Sequence, residues 1–377
     1  MNTLTDFALN TLRRVVLASF LFTGFSGAHA ETSLSPSLEK QLDQVISAAM
    51  HAQQIPAISV AIAQADRLVY SKAFGMADLE NSVQATTETL IRTGSVAKPI
   101  TAVAAMTLVE AGKLNLDAPV QTYCAPFPAK QRPITTRELL GHTSGIRYYR
   151  PAEVLDGDST HHYKWMADGF AIFASDPLLF QPGTAFNYST YGYTVIGCVI
   201  EGAAGARFQD YVGEHVLKPA GMTHTFVDDV FDIVPHRARG YQMIDGKVKN
   251  AGLLDSSYKI PGGGYVTTAE DLVRLAQALL DGKLLKADTV SEMWTASKES
   301  LAGHQSYGLG FQLVEDGKYI FHGGGQAGTS TNLFIIPEAR FAVAVLANMD
   351  GVNAQVNDLT RAIVERMQLP YPKKLTP

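Results

Sequence analysis

Cysteine is nearly absent from these 377 residues: there are two, Cys124 and Cys198, too few for a scaffold built on disulfides. No apolar run reaches the ~20 residues that a membrane-spanning helix needs, so no stable membrane span is expected. Only 18% of the residues are charged, there is no Lys/Arg run, and the net charge is −5. That excludes the electrostatic footprint of a nucleic-acid partner. The ten histidines never fall as H-x-x-x-H or H-x-H, which speaks against a zinc hydrolase, and neither metal nor cofactor is expected. The G-x-S-x-G elbow of α/β-hydrolases is missing too. Gly323-x-Gly325-x-x-Gly328 matches a dinucleotide fingerprint by letters alone, because Ser330 to Ile336 reads as a strand where a helix is required.

What is present describes a soluble chain with a large core: 46% apolar residues, with 32 Gly and 17 Pro spread along it. Arg13 and Arg14 precede an apolar run from Val15 to about Phe25, and Ala28-His29-Ala30 has the small-x-small form of a cleavage site. Residues 1–30 are therefore expected to be a signal peptide, and the protein exported to the periplasm or secreted. The Sec and twin-arginine routes both remain open. Removing Arg13, Arg14 and Asp6 leaves 29 basic and 35 acidic residues. In an oxidising compartment the two cysteines can pair, but Cys198 lies in the apolar stretch Val195–Ile200, and two free structural thiols are expected.

A helix is expected over Pro36 to Gln53, followed by strands over Ala57–Ala63 and Leu68–Phe74. From Val96 to Leu108 the chain is apolar on nearly every face, so this helix should be buried all round. Thr268, with Asp271 three residues on, caps a helix running to Leu280. Strands are expected over Gly308–Val314, Asn332–Pro337 and Phe341–Ala347, then a closing helix from about Ala354 to Gln368. Strands at both ends of the chain and helices between them predict an α+β fold. Its antiparallel sheet domain is drawn from 31–130 and 259–377, flanked by helices, with a mainly helical domain of 131–258 inserted.

Three serines are followed three residues later by lysine: Ser37/Lys40, Ser95/Lys98 and Ser256/Lys259. Such a pair shares a helix face, where the amine can take the hydroxyl's proton. The first lies on a polar helix near the chain start, and the third runs into Pro261-Gly-Gly-Gly264, which is expected to stop a helix. Only Ser95/Lys98 opens a buried helix. There both the helix dipole and lost hydration favour a neutral lysine, which is a base. Pro99 lacks the N–H that would bond the Ser95 carbonyl, so a loose first turn is expected.

Five segments in order carry a resemblance: Gly94-Ser95-Val-Ala-Lys98, Leu139-Leu-Gly-His-Thr-Ser-Gly145, Tyr188-Ser-Thr-Tyr-Gly-Tyr193, Gly262-Gly-Gly264 and His322-Gly-Gly324. The chain resembles the serine beta-lactamase-like family of class C beta-lactamases, D-alanyl-D-alanine carboxypeptidases and related esterases. Within it, Gly145-Ile-Arg-Tyr-Tyr149, Tyr188-Ser-Thr190 and Ser257-Tyr-Lys-Ile-Pro-Gly-Gly-Gly264 resemble the mitochondrial beta-lactamase-like serine protease more than the drug-hydrolysing enzymes. The resemblance implies a serine hydrolase acting through an acyl-enzyme on a small-molecule or peptide substrate (peptide, amide or ester). The alternative is a penicillin-binding-type protein with slow or no turnover. It also implies Ser95 as nucleophile, Lys98 as its proton partner and Tyr188 as second base or acid. His322 would stand where class C enzymes hold a lysine, and the N–H groups of Ser95 and Gly325 would form the oxyanion hole. Thr190 and His322 depart from the class C pattern. A neutral His322 hydrogen-bonded to Tyr188 is expected to ionise near the usual ~6.5 and to shape activity between pH 6 and 8. Tyr148, Tyr149, His161, His162 and Trp165 are expected to line an aromatic cleft.

Overall fold

Helix α1 (Pro36–Ala52) begins where Ser35 accepts the Leu38 N–H and Pro36 fills a first-turn position that needs no donor. The computed structural model describes residues 34–150 and 160–373, and the expected signal peptide lies outside the described residues. Strands β1 (Ala57–Gln64) and β2 (Arg67–Asp78) follow as a hairpin. Its turn residues Ala65 and Asp66 both take positive φ, 47° and 66°, the conformation that matches the twist of paired strands. β1 is buried on both faces, which is why Ala57 to Ala63 is continuously apolar rather than alternating.

The other flank of β1 is taken by a strand from the far end of the chain. β3 (Val83–Gln84), β4 (Gln312–Val314), β5 (Tyr319–Gln326), β6 (Thr329–Ile336) and β7 (Phe341–Ala347) complete a seven-stranded antiparallel sheet in the order β3-β2-β1-β7-β6-β5-β4. Ile58 faces Ala347, and Gln64 faces Phe341. The expected α+β architecture is thus the observed one. β5 was not anticipated, because its glycines hide a strand pattern. The strand expected over Gly308–Val314 shrinks to its last three residues. A Cβ on Gly310 (φ 86°) would come within 2.3 Å of Ala102 Cβ, so the chain bends there to clear the helix α2 (Ala97–Glu110) that follows Ser95.

One face of the sheet buries α1 and the closing helix α5 (Asn353–Arg366), with Leu42, Ile46, Phe334, Val343 and Ile363 in a single cluster. A second cluster holds α2 (Ala97–Glu110), α3 (Thr190–Ala204) and α4 (Ala269–Leu280). Thr268 caps α4 by accepting the Asp271 N–H as expected, and Leu272 and Leu275 are fully buried beneath it. Truncating either to alanine removes roughly 2–5 kcal/mol. Within the segment 131–258, helix α3 shares its core with α2: Ile196 and Val199 belong to the cluster of Val103 and Leu108.

The cysteines are not free. Cys124 and Cys198 form a disulfide with Cα atoms 5.4 Å apart across 74 residues of sequence. The loop carrying Cys124 lies directly on α3: a Cβ on Gly202, one turn beyond Cys198, would come within 1.7 Å of the Tyr123 carbonyl oxygen. Without a side chain at Gly202 the loop closes onto the helix and the sulfurs meet. Apolar surroundings suit a buried thiol and a buried disulfide equally, so the composition around Cys198 held no signal for pairing.

Candidate active site

The Ser95 segment forms a 3₁₀ turn, Gly94–Val96, leading into α2. This is the loose start that Pro99 imposes. Ser95 is half-buried, and Lys98 is completely buried. Lys98 Nζ lies 3.1 Å from Ser95 Oγ, 3.2 Å from Thr190 Oγ1 and 3.0 Å from the Gly262 carbonyl oxygen. Burial, reinforced by the charge of Lys259, pushes its pKa well below the ordinary lysine value. Among the described residues no carboxylate touches it. The turn, α3 and the Pro261-Gly-Gly segment thus converge on one amine.

Tyr188 stands beside this pair, with Lys98 Nζ 4.7 Å from its ring centroid. Burial drives its phenol pKa well upward against the opposing influence of the Ser95 hydroxyl, so the group is a neutral phenol. His142 packs behind it at 4.3 Å between ring centroids, in a cage completed by Tyr193 and Tyr307. Its Nδ1 accepts the Ser189 N–H, which fixes the turn carrying Tyr188.

His322 is near but oriented elsewhere. Its ring centroid is 6.3 Å from that of Tyr188, and its hydrogen bonds go to Tyr307 and to Gly323. Burial, helped by the charge of Lys98, lowers its pKa to about 3. The expected neutral state holds, whereas the expected bond to Tyr188 and ionisation near neutrality do not.

Gly325 ends the β5 glycine run against the Ser95 turn. A Cβ on Gly94 (φ 51°) would approach the Gly325 nitrogen to 2.7 Å, and one on Gly324 would lie 3.1 Å from the Ser95 nitrogen and 2.3 Å from the Thr93 carbonyl oxygen. Only glycines permit this approach, which brings the two candidate oxyanion-hole segments together.

Two depressions lie side by side here, sharing Gly325 and Asn353. One, of about 530 Å³, is lined by Ser95, Tyr148, Tyr149, Tyr258, Lys259 and Gln326 among others. The second, of about 490 Å³, is lined by Tyr188, Tyr307, His322 and Gly323 among others. Of the expected aromatic lining, Tyr148 and Tyr149 are there. His161, His162 and Trp165 are not: His162 pairs with Asp255 and Trp165 faces solvent. Lys259 and Tyr307 had not been singled out as site residues. Ser257–Lys259 and Ile260–Gly263 do form helical turns, with Pro261 in the first turn, where a missing N–H is harmless. The Ser256/Lys259 spacing was the visible signal, discounted on the strength of that proline. Among the described residues, no helix is long and apolar enough to cross a membrane, and no cluster of three or more His, Cys, Asp or Glu is arranged to hold a metal ion.

This sheet, with half-buried Ser95 and buried Lys98 at the start of the helix behind it and a glycine-rich strand β5 packed against them, defines a beta-lactamase-like serine hydrolase fold. The profile of the family described as Beta-lactamase matches residues 42–368, and the chain belongs to that family. It is 28% identical to the human mitochondrial serine beta-lactamase-like protein LACTB over 378 aligned positions, covering 75% of this chain and 69% of that protein. The solved structure of EstCE1, a hydrolase with promiscuous acyltransferase activity, is similar at TM-score 0.74 and 28% identity, covering 86% of this chain and 98% of its own. A penicillin-binding protein from Bacillus halodurans is similar at TM-score 0.72 and 26% identity, covering 84% and 98%.

Proposed function

We propose that the chain is an exported serine hydrolase that cleaves an ester, amide or peptide through an acyl-enzyme on Ser95. The observation that carries this is the hydrogen-bond count at Lys98. A neutral amine has two N–H groups and one lone pair. The Gly262 carbonyl can only accept and takes one N–H, so one of the two hydroxyls, Ser95 at 3.1 Å or Thr190 at 3.2 Å, has to donate to the lone pair, and Ser95 is the nearer.

In this scheme Ser95 Oγ attacks the substrate carbonyl carbon while its proton passes to Lys98 Nζ. The oxyanion is held by the N–H groups of Ser95 and Gly325. As the scissile bond breaks, the leaving group takes a proton from the Tyr188 phenol, which the Lys98 ammonium replaces. Water then attacks the acyl-enzyme with the proton movements reversed. Burial keeps Tyr188 protonated, which suits it to act as the acid. His322, without a donor directed at Tyr188, positions β5 and Tyr307. The amino-terminal pattern supports export, and the Cys124–Cys198 disulfide is the bond an oxidising compartment permits.

The test is covalent labelling with a fluorophosphonate and a fluorescent penicillin, read by mass spectrometry. Wild type should gain one acyl or phosphonyl group and Ser95→Ala none; label retained in the variant would overturn the assignment. Steady turnover of 4-nitrophenyl esters would mark a hydrolase, whereas one equivalent released and then a flat trace would mark a penicillin-binding-type protein.

A further inference from the structure

Lys259 is a second buried lysine in the same cleft, and nothing in the acylation chemistry uses it. It is 6% exposed. Its ammonium lies 5.8 Å and 5.6 Å from the ring centroids of Tyr149 and Tyr258 and, among the described residues, makes neither a hydrogen bond nor an ion pair. Its charged neighbours leave a surplus of positive charge. Arg92 is occupied by the buried carboxylate of Asp228, 2.6 Å away, and Arg237 faces the other oxygen of that carboxylate at 3.5 Å. One anion thus serves two guanidinium groups before Lys259 is counted. Of the other carboxylates nearby, Asp255 is paired with His162, and Asp350, which borders the same cleft, accepts the Gly328 N–H. Burial and the Arg92 charge lower the Lys259 pKa to about 7 against the pull of Asp228. A lysine kept in this state costs stability, a cost that binding of an anion would offset.

A second group in the cleft is unpartnered in the same way. The side-chain amide of Gln326 is buried, and neither its Oε1 nor its Nε2 has a hydrogen-bond partner. Gln326 directly follows Gly325 and lines the cleft with Ser95 and Lys259. Buried polar groups are ordinarily satisfied, so an ammonium and an amide facing one cavity beside a nucleophile are the outline of a ligand.

The side of the reaction this ligand occupies follows from Tyr188, which borders the other depression, with His322, and not this one. If Tyr188 protonates the leaving group, the leaving group lies on that side and the acyl group on the side of Lys259.

We infer that Lys259 and Gln326 form a subsite for the acyl portion of the substrate and select an acyl chain bearing a carboxylate, with the Lys259 ammonium pairing to the carboxylate and the Gln326 amide bonding a polar group of the chain nearer Ser95. This rests on the acyl-enzyme chemistry proposed above. The substrate class is an ester or amide of an acid with a second carboxylate.

The experiment compares 4-nitrophenyl monoesters of glutaric, adipic and pimelic acids with their methyl diesters, background hydrolysis subtracted. Wild type should prefer at least one monoacid over its methyl ester by about tenfold to a hundredfold in kcat/KM, the range for a hydrogen bond to a charged group. In Lys259→Met the ratio should fall to about one. Lys259→Arg, which keeps the charge if Met disturbs the fold, should keep the preference up to pH 9.5, where wild type loses it as its lysine deprotonates. Equal rates on both esters in wild type, or a preference surviving in Lys259→Met, overturns the inference. Calorimetry of adipate with Ser95→Ala at pH 8 separates it from the chemistry. Binding with proton uptake, lost when Lys259→Met is added, supports the subsite even if no ester turns over, and absence of binding overturns it. Failure of labelling and turnover with binding intact sinks the hydrolase assignment alone.

Discussion

Tyr307 Oη lies 2.9 Å from Nε2 of His322, whose Nδ1 lies 2.7 Å from the Gly323 carbonyl oxygen. A carbonyl only accepts, so Nδ1 carries the proton and Nε2 accepts from Tyr307. The imidazole is locked as one neutral tautomer with no donor left over. The ¹³C and ¹⁵N shifts of His322 should therefore stay flat from pH 8 to about 4.5. In Tyr307→Phe, where Nε2 is released, its titration should move upward. A His322 titration near pH 6.5 in wild type would contradict this arrangement.

Stability should respond to pH on both sides of neutrality. The His322 pKa is lowered to about 3 from ~6.5 in the unfolded chain, so its contribution is full above pH 6.5 and disappears as pH falls toward 3. Lys259 falls from 10.5 to about 7, so the unfolded state binds more protons between those values and stability rises with pH across that interval. Thermal unfolding should show Tm climbing from pH 7 to 9.5. Lys259→Met should be the more stable protein at pH 7, by on the order of a few kcal/mol, and the gap should narrow at pH 9.5. Parallel curves for the two proteins would show that Lys259 is not the titrating group.

The disulfide closes a long loop. For the sequence separation of 74 between Cys124 and Cys198, the chain-entropy relation gives about 4 kcal/mol of stabilisation. Urea unfolding of Cys124→Ser/Cys198→Ser should lose an amount of that order, and the native wild-type protein should show no thiol reactivity before reduction. Two reactive thiols in unreduced protein would restore the free-cysteine expectation.

Gly324→Ala probes the contact between β5 and the Ser95 turn. The added methyl meets the Thr93 carbonyl and Thr331 Oγ1 at 2.3 Å each, so the strand has to move away from the Ser95 nitrogen. The kcat should drop about 10²–10³-fold, the loss typical of one oxyanion donor, while KM changes less. Undiminished kcat would separate β5 from the oxyanion hole.

Legibility in the sequence followed physical locality. The Ser95/Lys98 pair was readable because helical spacing and a continuous apolar run are local properties, and they already implied that the lysine is buried. β1 and β7 were readable for the same reason. Lys259 was not, because its burial comes from Tyr149 and Tyr258 and its charge surroundings from Arg92 and Asp228, and of these only Tyr258 adjoins it in sequence. The partner of His322 was equally hidden. Tyr307 lies 15 residues away on the irregular stretch before β4, and no periodicity links it to a strand that sequence patterning had already missed. The disulfide depended on Gly202, a glycine whose purpose is visible only once the Tyr123 carbonyl lies against it.

The three atoms around Lys98 Nζ come from residues 95, 190 and 262, so the environment that lowers its pKa exists only when three distant stretches of chain have docked. In any partly unfolded form Lys98 reverts to an ordinary hydrated ammonium, and Ser95 becomes one unreactive hydroxyl among many. On the proposed chemistry, covalent modification of Ser95 is therefore a census of native molecules. The labelled fraction of a preparation should follow the fraction folded, and a denaturation profile recorded as labelling yield should superimpose on one recorded by circular dichroism.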